Sequence, residues 1–258
     1  MKYFVVDAFT DNVFKGNPAG VCLLENPISD ELMQNIAAEN NLAETAFVLP
    51  ADNGYNLRWF TPEVEIDLCG HATLASAFVI RNFVNKNMEN VNFFTKSGTL
   101  SVTYQSGLYE MDFPSRPPNQ IDITPIVEAA FSARILEAYL ARDMMLVVES
   151  ENAVKNLQPD IEKIRQLTEG FGVIVTARGE EVDFVSRFFA PNNGIAEDPV
   201  TGSSHCTLIP FWAERLRKDT MTARQLSKRG GMLYCKNCGE RVKIAGHAAL
   251  YLIGEIKL

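Results

Sequence analysis

No stretch of this 258-residue chain approaches 18 consecutive apolar residues, so the sequence offers no candidate for a membrane-spanning helix. Its start, MKYFVVDAFTDN, has no charged lead followed by an apolar run and a cleavage site, which argues against a secretory signal. Cysteine is sparse and odd in number: Cys22, Cys69, Cys206, Cys235 and Cys238. A disulfide framework is therefore not expected, and the reading is a cytoplasmic protein. Positive charge is in deficit. Lys and Arg number 24 against 32 Asp and Glu, a net charge of −8 at pH 7, which argues against nucleic acid or an acidic membrane surface as partner. Neither a P-loop nor a GxGxxG motif in a strand–turn–helix setting occurs, so no nucleotide cofactor is expected. Hydrophobic residues make up 47%, ordinary for a globular chain long enough for one or two domains.

What is present is a pattern that recurs. KYFVVDAF and AGVCLLE read as strands, rich in β-branched and aromatic residues. ISDELMQNIAAENN follows as a helix, with Ser29 as N-cap and apolar spacing at Leu32, Ile36 and Ala37. ETAFVLP and YNLRWFTP read as strands, and HATLASAFVIRNFV as a buried helix opening at Gly70. In the second half RDMMLVVES resembles AGVCLLEN, and QPDIEKIRQLTEG takes the place of the first helix. SRFFAP there resembles LRWFTP, and GSSHCTLIPFWAERL from Gly202 resembles the helix from Gly70. Gly70 and Gly202 stand 132 residues apart, as do Gly98 and Gly230 in TKSG and SKRG. Two anchors at one offset imply a duplicated module of roughly 115–130 residues. Two copies are too few for a solenoid, so two similar domains are expected, 1–115 and 116–258, joined by the Pro-rich PSRPPNQ. The last strand, AALYLIGEIKL, has no counterpart and could cross back to the first domain.

The duplicated corners carry the chemistry. EVEIDLCGHA and IAEDPVTGSSH each turn into a helix at a glycine. The free N–H groups and positive dipole end of such a start bind carboxylates or phosphates. Gly70, Gly202 and Ser203 are the candidate anion contacts, although Ser203 could equally cap its helix. Asp198, before Pro199, is placed to accept hydrogen bonds or to make an Asx turn. His71 lies in the first turn of its helix, where the dipole disfavours a cation, so a neutral imidazole is expected. Glu44 enters an apolar strand. Such surroundings disfavour an ionised carboxylate without a partner, which suits general acid/base work near neutrality.

Metal and nucleophile readings are weaker. CKNC at 235–238 lacks a second ligand pair, and the repeat aligns it with a hairpin, so no metal is expected there. Cys69 and His71, at i and i+2 of a helix start, are expected to point apart. Cys69 could still act alone as a thiol acid/base, but its repeat counterpart is Thr201, so a two-thiol mechanism lacks one thiol.

Taken in order, AFT…FKGNPAGVC, NLAETAFVLP, RWFTPEVEIDLCGHATLA, EDPVTGSSH and SKRGG resemble the phenazine-biosynthesis PhzF-like family, from the N-terminus to about residue 232. That resemblance implies the diaminopimelate-epimerase-like α+β fold. Two similar domains arise by internal duplication, each a curved, mostly antiparallel sheet around a central helix, with the active site in the cleft between them. It also implies a cofactor-independent isomerase moving a proton on a small carboxylate substrate, and a homodimer. Glu44 takes the place of the family's general acid/base, His71 and Asp198 those of its histidine and aspartate, and Gly70, Gly202 and Ser203 those of its substrate-contacting helix starts. A serine often precedes the glutamate in the family; here the residue is Ala43. An amino-acid epimerase using Cys69 and a non-catalytic small-molecule binding protein are the alternatives.

Overall fold

The computed structural model describes Met1–Leu258, and the chain divides into two compact units. The first comprises Met1–Asp112 with Ala245–Leu258, the second Phe113–Ile244. In the first half run β1 (Lys2–Ala8), β2 (Asn17–Leu23), α1 (Asp30–Asn40), β3 (Glu44–Ala51), β4 (Gly54–Phe60), β5 (Glu65–Ile66), α2 (Gly70–Val79), β6 (Asn90–Thr95), β7 (Gly98–Gln105) and β8 (Leu108–Pro114). Then come β9 (Asn119–Ile121), α3 (Pro125–Ala130), β10 (Ile135–Leu140), β11 (Met144–Val148), α4 (Glu151–Asn156), α5 (Ile161–Arg165), β12 (Val173–Arg178), β13 (Phe184–Ala190), β14 (Ile195–Asp198), α6 (His205–Leu216), β15 (Thr220–Gln225), β16 (Gly231–Cys238) and β17 (Arg241–Gly246). The last element, β18 (Ala248–Glu255), belongs to the first unit, where it pairs antiparallel with β1 from Lys2 opposite Glu255 to Ala8 opposite Ala248.

The repeat seen in the sequence is a repeat of strand pairing. In the first unit β1–β2 is antiparallel, β2–β3 parallel, β3–β4 and β4–β5 antiparallel, β4–β6 parallel and β6–β7 antiparallel. In the second, β10–β11, β11–β12, β12–β13, β13–β14, β13–β15 and β15–β16 follow the same series of directions. Parallel neighbours need a crossover. Each unit supplies two, one through α1 or α4–α5 and one through α2 or α6. The fold is α+β with mostly antiparallel pairing.

Local sequence explains these elements. Ser29 accepts from Leu32 N at 3.2 Å and caps α1, whose buried positions are Met33, Ile36 and Ala37. Asn41 then takes a left-handed conformation (φ 49°) and releases the chain into β3. Helix α2 is buried nearly all round, through His71, Ala72, Thr73, Leu74, Ala75, Ser76, Ala77 and Val79. A helix apolar on every side belongs inside a core, and its alanines let strands approach closely. The hydroxyl of Ser76 is satisfied by the Ala72 carbonyl at 2.7 Å. The second unit's core gathers Phe131, Leu146, Val148, Val154, Ile164, Val175 and Phe189. Pro210 lies inside α6 and cannot donate to the Cys206 carbonyl. That carbonyl instead accepts from Arg116 N at 2.9 Å.

Two helices differ from the sequence expectation. QPDIEKIRQLTEG forms only the short α5, Ile161–Arg165, capped by Asp160. Its helical stretch ends where Gln166 and Leu167 turn back with i→i−3 bonds to Lys163 and Ile164. The second long helix starts at His205, not Gly202. His205 N bonds Gly202 O at 3.0 Å and Cys206 N bonds Ser203 O at 3.2 Å, so the entry is a tight turn. The CKNC cysteines sit on β16, ahead of a turn at Gly239 (φ 76°).

Candidate active site

Glu44 is the first residue of β3, and parallel pairing sets it opposite Ala19 of β2. Its side chain is only 9% exposed. Burying a carboxylate is costly without a partner, and the partner is His71. Glu44 Oε2 lies 3.0 Å from His71 Nε2, within ion-pair distance but without hydrogen-bond geometry, and this oxygen has no hydrogen-bond partner in the protein. His71 reaches it from the first turn of α2, which starts at Gly70, as the sequence implies.

Around the other ring nitrogen stand Asn17 and Cys69. Asn17 Nδ2 is 3.3 Å and Cys69 Sγ 3.5 Å from His71 Nδ1. The expectation that Cys69 and His71 point apart is wrong. Cys69 is the N-cap of α2 and has extended backbone (φ −143°, ψ 106°), so the helical spacing rule does not govern it.

The charges on this cluster follow from its burial. Burial works against the imidazolium of His71, but Cys69 and the Glu44 carboxylate favour it, and the net direction is well upward. The neutral imidazole expected from the helix dipole is therefore overridden, because a carboxylate at contact distance outweighs half a dipole charge. Burial first, and the Glu44 charge second, push the Cys69 thiol up as well. Cys69 thus stays protonated near neutrality, and the charge His71 feels is that of Glu44.

Glu44, Cys69 and His71 have ligand atoms all within 4.8 Å of one another, so a metal site is the first alternative. The geometry fits it poorly. Glu44 addresses Nε2, whereas Cys69 lies nearer Nδ1 (3.5 Å) than Nε2 (4.0 Å). One imidazole offers a given metal one nitrogen, so the arrangement suits proton relay better than coordination.

Asp198, Gly202 and Ser203 lie in the second unit, on one braced corner. Asp198 ends β14, and Thr201 Oγ1 donates to its Oδ2. Gln225, fully buried at the end of β15, donates to the Asp198 carbonyl at 2.7 Å and accepts from Thr201 N at 2.9 Å. Ser227 Oγ donates to the Pro199 carbonyl at 2.7 Å. Thr201 O accepts from both Ser204 Oγ and His205 Nδ1 at 2.8 Å. Gly202 is buried and Ser203 half-buried in the turn ahead of α6. Ser203 caps nothing, since the N-cap is Ser204 and it makes no side-chain capping bond. His205 is internal scaffolding. Burial lowers its pKa to about 4, so it is neutral, with its proton on Nδ1 toward the Thr201 carbonyl.

The structure thus brings Glu44, His71 and Cys69 together in the first unit, and Asp198, Gly202 and Ser203 together in the second. Sequence reasoning missed Asn17 and Gln225. Asn17 lies within FKGNPAG, a stretch that carries the family resemblance, but nothing in it marks Asn17 for chemistry. Gln225 is 24 residues from Thr201, and nothing local marks it.

Comparison with known proteins then supplies the family. Residues 6–254 match the PhzC-PhzF family, described as phenazine biosynthesis-like protein. The chain is 48% identical to an uncharacterized isomerase of Pseudomonas aeruginosa over 259 residues, covering 100% of this chain and 99% of that one. A crystal structure of a phenazine biosynthesis protein of the PhzF family from Enterococcus faecalis superposes with a TM-score of 0.98 at 50% identity, covering 100% and 99% of the two chains. The fold alone extends to a hydroxyproline epimerase from Agrobacterium vitis, with a TM-score of 0.66 at 12% identity over 98% and 91% of the chains.

Proposed function

This chain belongs to the phenazine biosynthesis-like PhzC-PhzF family and is an isomerase, and on that premise we propose that it moves a proton on a small carboxylate substrate with Glu44 as general acid/base and no cofactor. The observation that carries the reading is the buried Glu44–His71 pair at 3.0 Å. A buried carboxylate with an oxygen that has no hydrogen-bond partner and a histidine at ion-pair distance is poised to exchange a proton. Glu44 takes a proton from a carbon beside an activating group, leaving an electron pair delocalised onto that group. The protonated Glu44 then returns the proton to a different atom of the same substrate, so no oxidant or co-reactant is needed. His71, with Nε2 3.0 Å from that oxygen and its charged form favoured, steadies the carboxylate electrostatically between the two transfers. Asp198, Gly70, Gly202 and Ser203 carry the substrate-binding roles that the family resemblance assigns them. We further propose a cytoplasmic homodimer. No helix is long and apolar enough to cross a membrane.

The test is proton exchange. The protein is incubated in D₂O with a panel of small amino and hydroxy acids, including a dihydro-hydroxyanthranilate, and mass shifts are followed. Glu44→Gln should lower deuterium uptake by roughly 10²–10⁴-fold, the contribution of one positioned acid/base. Uptake unchanged by that substitution would remove Glu44 from the chemistry. A second reading, epimerisation through Cys69, draws on the contact of its thiol with His71 Nδ1. It requires uptake at one stereocentre to vanish in Cys69→Ser while surviving Glu44→Gln.

A further inference from the structure

One arrangement of charged side chains occurs twice in this chain, outside both groups of site residues. On β4, Arg58 grips Glu65 of β5 with both arms of its fork, Nε to Oε1 at 2.7 Å and Nη2 to Oε2 at 2.8 Å. On β13, Arg187 grips Glu197 of β14 in the same way, Nε to Oε1 at 2.7 Å and Nη2 to Oε2 at 3.0 Å. The third nitrogen, Nη1, ties each pair to a crossover helix of its own unit. Arg58 Nη1 donates to Asp30, the first residue of α1, at 2.6 Å, and Arg187 Nη1 to the Leu157 carbonyl just past α4 at 2.7 Å. Each guanidinium also faces a phenylalanine of its own strand, Phe60 at 5.2 Å and Phe189 at 5.1 Å. A serine adds a further tie in both units. Ser97 of TKSG donates to the Asp67 carbonyl at 2.9 Å, and Ser227 of SKRG to the Pro199 carbonyl at 2.7 Å. Positions 67 and 199 are separated by 132, the offset of the repeat. Arg58 and Glu65 are 7 residues apart, Arg187 and Glu197 10, so the pairing is not the by-product of one fixed turn.

We propose that Arg58 and Arg187 are positioning residues, each clamping the segment that leads from a short strand into the helix start of its unit. The first clamp serves Cys69 and His71, which follow Glu65 across the turn into α2. The second serves Asp198, directly after Glu197, and the Gly202–Ser203 turn. Backbone pairing alone holds these segments weakly, since β5 is 2 residues long and β14 is 4. An isolated surface ion pair would add little. A two-pronged arginine–carboxylate pair fixes angle as well as distance, and both pairs are largely shielded. Arg187 and Glu197 are 11% and 26% exposed, Arg58 and Glu65 27% and 16%. The consequence for turnover rests on the proposed proton transfer at Glu44; the clamping does not.

The free cysteines provide a test that needs no substrate. The native full chain is alkylated with iodoacetamide, and the rate at each cysteine is read by peptide mass spectrometry. Cys69 reports the first corner, and Cys206, in the first turn of α6, the second. Cys22 on β2 and Cys235 on β16 are buried and report wholesale opening of the first and second units. Exposed Cys238 serves as the internal reference. Arg58→Lys keeps the charge and loses the fork. It should raise the Cys69 rate roughly ten-fold, the worth of one hydrogen bond to a charged group, and leave Cys22 and Cys206 unchanged. Arg187→Lys should do the same to Cys206 and spare Cys235 and Cys69. Cys69 rising in step with Cys22, and Cys206 with Cys235, would reduce the pairs to general stabilisers and overturn the proposal. Rates unmoved in both variants would overturn it as well. Glu65→Gln and Glu197→Gln weaken the same pairs and decide by the same ratios should a lysine variant fail to fold. The two readings fail separately. Labelling as described, with proton exchange indifferent to Glu44→Gln, removes only the catalytic role of Glu44. Exchange that needs Glu44, with labelling unmoved, removes only the clamps.

Discussion

Gln225→Leu tests whether the corner bearing Asp198 and the Gly202–Ser203 turn is held from a distance. The substitution keeps most of the side-chain volume, so little cavity forms, and it removes only polar atoms. Two main-chain groups then lose their partners, the Asp198 carbonyl (2.7 Å) and the Thr201 N–H (2.9 Å). The third contact, Gln225 Nε2 to Thr201 Oγ1 at 3.2 Å, matters less, because that hydroxyl still donates to Asp198. Thr201 is 7% exposed, so water cannot readily replace the lost acceptor. At about 1–2 kcal/mol for each orphaned group, the expected loss is about 2–4 kcal/mol, a large share of the 5–15 kcal/mol typical of a domain. The two tryptophans fall one in each unit, Trp59 and Trp212. In a Trp59→Phe background, emission therefore reports unfolding of the second unit alone. With a urea slope of about 2 kcal/mol per molar, the midpoint should fall by about 1–2 M. A loss below about 1 kcal/mol at unchanged slope would refute the reasoning, since it would mean that these backbone groups find water and that Gln225 braces nothing.

Further predictions concern the second unit's interior. Thr176→Val removes the acceptor of Trp212 Nε1, now at 3.0 Å in a fully buried setting, and should destabilise the unit by about 1–3 kcal/mol in the same assay. His205, lowered to about 4 by burial against an ordinary value of 6.5, contributes stability that is whole above pH 6.5. As pH falls from there toward 4, the unfolded chain takes up a proton that the folded one refuses, so stability drops by on the order of 3 kcal/mol. Denaturation midpoints across that window should flatten in His205→Asn, and an unaltered slope would show that His205 is not responsible.

Much of the fold is legible in the chain because it depends on local pattern. The apolar run of β1, the Ser29 cap of α1 and the glycine that opens α2 each act within a few residues, and each element forms as its sequence implies. The duplication is legible for the same reason. Gly70 with Gly202 and Gly98 with Gly230 repeat the punctuation of a module, and the strand directions repeat with them. The errors also have local causes. A helix from Gly202 is a fair reading of GSSHCTLIPFWAERL, but Ser204 and His205 both spend their side chains on the Thr201 carbonyl, and the helix begins only after that turn closes.

The sequence by itself therefore determined the repeated α+β pattern, the family resemblance, and the nomination of Glu44, His71 and Asp198 as separate points of interest. Only the tertiary structure decided how they are connected. It set Glu44 on Nε2 of His71, brought Asn17 and Cys69 to Nδ1, and pinned the Asp198 corner with Gln225. These contacts join residues up to 54 positions apart. They arise from strand register and helix placement, which depend on how whole elements pack, while periodicity and capping read only the neighbours along the chain.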